Sequence, residues 1–160
     1  PYTSSAASDV YKRQFQHVKL DDLPQVAMEI LQFATCNVNV LEAPMGCGKT
    51  TLCKQIIKQW GSKTEGSSPT FSLVEEHQGP NGILYHADAY RFEEELEAFD
   101  IGFEEYVESG NPLWIEWAEK VVSFLPFKVG VVYIKIEGTH ARTIEFYPEL
   151  FAAQIQWKHE

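Results

Sequence analysis

A chain of 160 residues fits one domain of ordinary size, and 44% hydrophobic with 22% charged residues supplies a core while excluding wholesale disorder. The 23 acidic against 13 basic residues leave a formal charge of -10, which argues against a domain whose main task is to grip DNA or RNA phosphates. No apolar run approaches the roughly 18 residues of a membrane span, and Cys36, Cys47 and Cys53 are odd in number and lack paired spacing, which fits a reduced, cytoplasmic setting.

Residues 1–14 are rich in Ser, Thr and Ala, carry no periodicity, and include a string, SSAASDVYKRQ, that resembles a translated cloning adaptor. They are expected to be disordered and possible additions to the native chain, which places the domain at residues 15–160. Phe15, His17 and Leu20 open a short extended segment. Asp21 or Asp22 then caps a helix that tolerates Pro24 in its first turn and buries Val26, Met28, Ile30, Leu31 and Phe33. Residues 37–41, NVNVL, read as a buried strand. A glycine-containing turn leads from it to a helix from Lys49 to Trp60, stopped by Gly61.

Residues 62–69 read as a polar loop, and 70–77 and 83–88 as two strands joined by a turn at Gln78–Gly82. Between Phe92 and Glu119 stand ten acids and no lysine or arginine, while acids and bases balance elsewhere, so the whole net charge is local. This stretch suits one or two helices interrupted near Gly102, with a solvated acidic face that could also dock a basic partner. An apolar strand at 113–117, a short helix toward Leu125, a hairpin of 129–137 with 141–147, and a terminal helix at 149–156 complete the reading. The expected fold is a single α/β domain with a mixed, mainly parallel sheet and antiparallel hairpins; the phosphate-loop pattern at Ala43–Thr50 makes it a P-loop NTPase domain.

The chemistry concentrates in Ala43-Pro44-Met45-Gly46-Cys47-Gly48-Lys49-Thr50, a phosphate-loop pattern with Ala43 in place of its first glycine. A nucleotide triphosphate needs several backbone N–H groups aimed at one anion, and a tight loop feeding a helix N-terminus provides them. Gly46 and Gly48 allow the close approach, Lys49 sets an ammonium on the β/γ-phosphates, and Thr50 offers a hydroxyl to Mg²⁺. Two strand-end acids are candidates to complete the metal site, directly or through water: Glu116 in a Walker B-like position and Asp88 after the strand that carries His86. Each could instead cap a neighbouring helix, and His86 reads as a core histidine. Trp117 could line the nucleotide site or pack.

Four ordered blocks, Ala43–Thr51 (APMGCGKTT), Ser68–Val74 (SPTFSLV), Tyr85–Arg91 (YHADAYR) and Ile115–Ala118 (IEWA), resemble the TsaE family, the ATPase subunit of the bacterial machinery that makes threonylcarbamoyladenosine in tRNA. The resemblance implies ATP hydrolysis with Mg²⁺, slow in the isolated subunit. It also implies docking on the threonylcarbamoyl-transferase subunits, with tRNA handled mainly by those partners. It assigns Lys49, Thr70, Asp88 and Glu116 to catalysis; Thr50, Glu116 and Asp88 to the metal; and Pro44 to Thr51 with Trp117 to the nucleotide. Asp22 and Thr139 are indicated only roughly, on the base side. Ala43, Ala87 and Ala118 depart from the family pattern without removing a reacting group. Two other readings stay open. One is a P-loop small-molecule kinase, disfavoured because Arg13, Arg91 and Arg142 are the only arginines. The other is a nucleotide-controlled binding module with little turnover.

Overall fold

The computed structural model describes residues 2–6, 11–63 and 73–157. Strands β1 (Thr3–Ala6) and β2 (Arg13–Val18) lead into a 3-10 turn at Leu20–Asp22, helix α1 (Leu23–Phe33), strand β3 (Val38–Glu42) and helix α2 (Lys49–Trp60). Strands β4 (Val74–Gly79) and β5 (Gly82–Asp88) follow, then a 3-10 turn at Ala89–Arg91 and the short helices α3 (Glu95–Asp100) and α4 (Phe103–Glu108). Strand β6 (Leu113–Glu116), a 3-10 segment at Ala118–Phe124, the long strands β7 (Lys128–Glu137) and β8 (Ala141–Phe151), and a last 3-10 turn at Ala152–Gln154 close the chain.

All eight strands join one sheet in the order β1-β2-β8-β7-β3-β6-β5-β4. Strand β3 is parallel to both β6 and β7, and β5 is parallel to β6; the flanking pairs are antiparallel. Five strands therefore run one way and three the other, in keeping with the mixed, mainly parallel sheet. Every residue of β3 and β6 is buried, because the sheet is covered on both faces. Alternation sorts their side chains. Leu41 and Trp114 join α1 and α2 through Val26, Ile30, Leu52 and Ile56, whereas Val40, Leu113 and Ile115 face Phe92, Phe103 and Val121. Glu116, two residues beyond Trp114, consequently emerges on the α2 side.

Gly61 caps α2 at φ +89, and Gly102 at φ +72 separates α3 from α4, both where the sequence places a break. The ends differ from expectation. Thr3–Ala6 pairs with Arg13–Gln16 although the composition of residues 1–14 predicts no regular structure. Tyr2 packs on Phe15 and donates its hydroxyl to Glu29, and the Arg13 guanidinium lies 4.1 Å from the Phe33 ring centre. These contacts to the core and α1 are long-range, so local composition does not report them. At the other end the helix expected over 149–156 is replaced by the end of β8 and a 3-10 turn. Lys128 and Val129 pair with Phe151 and Leu150, and Pro148 falls in the register shift opposite Val129–Val131, a place where a strand tolerates proline.

One close approach fixes the centre of the sheet. A Cβ built on Gly130 of β7 would lie 1.9 Å from the Asn39 side-chain oxygen on β3. Asn39 is 1% exposed, and its amide donates to the carbonyls of Cys36 and Asn37 at 3.0 and 3.2 Å. Gly130→Ala is therefore expected to destabilise the fold by about 1–3 kcal/mol through overpacking, with a smaller loss in an Asn39→Ala background; chemical denaturation of the single and double variants measures both.

Candidate functional site

The loop between β3 and α2 is built by backbone geometry. Gly46 at φ +82 and Gly48 at φ +105 take left-handed conformations that a side chain disfavours, and Cys47 N–H donates to the Pro44 carbonyl at 3.2 Å. Ala43 keeps an ordinary negative φ, so the missing first glycine costs the turn nothing. The Leu52 N–H donates to the Gly48 carbonyl at 2.9 Å, which starts α2 directly at the loop. From β8, Arg142 Nε donates to the Cys47 carbonyl at 3.1 Å and ties the loop to the C-terminal hairpin.

Parallel pairing then brings the acids to the loop. Leu41 sits opposite Glu116, and Glu116 opposite Asp88, so three strand ends meet below the start of α2. The Thr50 hydroxyl donates to Glu116 Oε1 at 2.7 Å. Glu116 Oε2 lies 2.7 Å from His86 Nε2, in a buried contact. Burial raises the carboxyl pKa of Glu116, but the hydrogen bonds from His86 and Thr50 and the charge of Lys49 outweigh it, and the net shift is downward. Burial also opposes protonation of His86, yet its contacts with Cys53, Glu116 and Glu75 carry its pKa upward. Burial raises the Cys53 thiol.

Asp88 behaves differently. Burial raises its pKa, the Tyr90 N–H it accepts at 3.1 Å lowers it, Glu116 raises it further, and the net direction is up. It thus caps the turn at Ala89–Arg91 and also presents a carboxyl beside Glu116. A hydroxyl and two adjacent carboxyls form the hard oxygen set that Mg²⁺ prefers, and the mutual repulsion of the two acids is what a divalent cation would relieve. The residues present therefore fit such an ion.

Lys49 is 6% exposed, and its ammonium lies 3.5 Å from the Trp117 ring centre. Trp117 adopts φ +60, one of two side-chain-bearing residues with positive φ among those described, and its ring meets Tyr90 at 4.9 Å. A cavity of 330 Å³ is lined by Met45, Gly46, Gly48, Lys49, Thr50, Thr51, Asp88, Tyr90, Glu116 and Trp117. A second, of 490 Å³, lies between the loop and the β7–β8 hairpin and includes Cys47, Thr51, Thr139 and Arg142. Both cavities touch Gly46 and Gly48.

The structure thus brings together Met45, Gly46, Gly48, Lys49, Thr50, Thr51, Asp88, Glu116 and Trp117, with Cys47 and Thr139 on the neighbouring side. Pro44 lines neither cavity but accepts the turn hydrogen bond. Asp22 is turned away: it accepts from Lys19 N–H at 2.9 Å, and Asp21 lines the cavity instead. Thr70 lies outside the described residues. His86, Tyr90 and Arg142 were not among the candidates from sequence. His86 shares a strand face with Asp88, which is the signal that could have found it; the other two depend on turn and tertiary geometry.

The model of the family "Threonylcarbamoyl adenosine biosynthesis protein TsaE" matches residues 17–144. A Rickettsia typhi protein called "tRNA threonylcarbamoyladenosine biosynthesis protein TsaE" is 35% identical over 116 residues, 72% of this chain and 80% of that one. The Bacillus subtilis protein of the same name is 36% identical over 110 residues, 69% of this chain and 68% of its own. Among solved structures, "Crystal structure of Bacillus subtilus YdiB" superposes with a TM-score of 0.66 at 26% identity, covering 88% of this chain and 87% of the other.

The contact between Lys49 and Trp117 has a measurable energy. In a double-mutant cycle of Lys49→Met and Trp117→Leu, unfolding of the ligand-free protein is expected to give a coupling of about 0.5–2 kcal/mol, the range for partly desolvated cation–π pairs.

Proposed function

The chain belongs to the TsaE family of tRNA threonylcarbamoyladenosine biosynthesis proteins, and from that premise we propose that it is a Mg²⁺-dependent P-loop ATPase. Its hydrolysis of ATP to ADP and phosphate supports the threonylcarbamoyl-transferase subunits that modify tRNA. The observation that carries this reading is the Thr50–Glu116 hydrogen bond beneath a glycine-turned loop, because it unites a phosphate cradle with a metal carboxylate.

In this reading the backbone N–H groups of 44–51 hold the triphosphate. Lys49 leaves the Trp117 face to meet the β/γ-phosphates, and Thr50, Glu116 and Asp88 hold Mg²⁺ directly or through water. Bound Mg²⁺ neutralises phosphate charge. Asp88, beside Glu116 and rising in pKa, is placed to orient the attacking water, with Thr70 as a further contributor. The neighbouring cavity with Thr139 and Arg142 takes the base side of the nucleotide.

Charge supply limits the isolated protein. Arg13 is engaged with Glu29 and Phe33, and Arg142 with the loop carbonyl, which leaves Arg91, whose charge acts on Asp88. Slow turnover alone and acceleration by a partner follow. The acidic surface of α3 and α4 gives that partner a docking face, and the partner rather than this chain carries the tRNA. Such work belongs in the cytoplasm. Among the described residues no helix is long and apolar enough to cross a membrane.

Lys49→Ala is expected to lower ATP turnover by about 10²-fold or more and to weaken nucleotide binding in calorimetry. Glu116→Gln and Asp88→Asn should cut single-turnover hydrolysis by about 10²–10³-fold while nucleotide affinity changes little. Normal hydrolysis in both acid variants would overturn the assignment of Glu116 and Asp88 to the metal site.

A second expectation concerns the partner. ATPase rates should rise when the threonylcarbamoyl-transferase subunits are added, and association should weaken as salt rises. No association under any nucleotide condition, or full activity alone, would count against the proposed role.

A further inference from the structure

Glu116 is held from two sides. Oε1 accepts the Thr50 hydroxyl at 2.7 Å, and Oε2 lies 2.7 Å from His86 Nε2. A carboxylate oxygen accepts, so in this 2.7 Å contact the donor is the Nε2–H of His86. His86 is 8% exposed and Glu116 2% exposed, and they project from adjacent parallel strands. The other ring nitrogen, Nδ1, lies 3.8 Å from Glu75 Oε2, and Cys53 also contacts the ring. The imidazole is therefore fixed from behind as well as in front.

We infer that His86 is a positioning residue for the metal-site carboxylate: by donating Nε2–H to Glu116 Oε2 it commits Oε1 to Thr50 and the cation. This rests on the Mg²⁺-ATPase reading of the site. The terminal carboxyl torsion of a glutamate is broad and roughly two-fold, so a carboxylate held only through Oε1 would be free to turn. A second hydrogen bond on Oε2 removes that freedom without occupying the oxygen that faces Thr50. Loss of an outer partner of this kind costs about 10–100-fold in metal affinity.

The experiment measures Mg²⁺ affinity, by calorimetry, at a saturating level of a non-hydrolysable ATP analogue in wild type, His86→Leu and His86→Gln. Glutamine places an amide N–H the same number of bonds beyond Cβ as Nε2. His86→Leu is expected to weaken Mg²⁺ by about 10-fold or more, to leave metal-free nucleotide affinity near wild type, and to be rescued by His86→Gln. Equal Mg²⁺ affinity in the leucine variant, or equal losses of metal-free and metal-bound nucleotide affinity, overturns the inference. Absence of Mg²⁺-dependent nucleotide binding in wild type defeats the ATPase reading instead. Histidine-ring ¹⁵N spectra of the wild-type protein serve even if both variants misfold. A protonated Nε2 at His86 whose shift moves on Mg²⁺ addition supports the inference, and an unprotonated Nε2 overturns it.

Discussion

The hydrogen bond between Thr50 and Glu116 joins the first turn of a helix to the last residue of a strand distant in sequence, and the central topology serves to hold both ends. Strand β3 must deliver its loop at the same edge where β6 and β5 deliver their acids. Parallel pairing with matched registers accomplishes this, since Leu41, Glu116 and Asp88 then lie side by side at or next to their strand ends. Helices on both faces follow from burying a central parallel sheet. The antiparallel strands β8, β2 and β1 extend the β7 side, and β8 returns to the site through Arg142.

Electrostatics at this edge are divided between the two acids. Glu116 receives hydrogen bonds on both oxygens and stays ionised despite burial, whereas Asp88, with one backbone donor and Glu116 as a neighbour, is pushed toward its neutral form. Two carboxylates in the same row thus acquire two characters from what surrounds them. The acids of α3 and α4 stand apart from this arrangement, largely exposed, and leave the bulk of the net charge outside the cavity beside Lys49.

Much of this architecture was legible in the sequence, for identifiable reasons. The loop announces itself because anion binding demands glycines, a lysine and a hydroxyl at fixed spacing, and the apolar run ending at Glu116 reveals a buried strand. Gly61 and Gly102 mark helix breaks because their conformations exclude most side chains. What sequence did not show depends on tertiary partners. The pairing of Thr3–Ala6 needs β2, the strand character beyond Pro148 needs the start of β7, and the turn of Asp22 toward Lys19 is set by its own 3-10 geometry. The shared strand face of His86 and Asp88 is visible in the sequence, but the contact of His86 with Glu116 follows only from the pairing of β5 with β6.

The placement of Lys49 against Trp117 also bears on how this edge of the sheet looks to passing polyanions. An ammonium laid on an indole face and largely withdrawn from solvent projects less positive potential than one extended into an open loop. Stray phosphates and nucleic-acid backbones then meet a muted attraction.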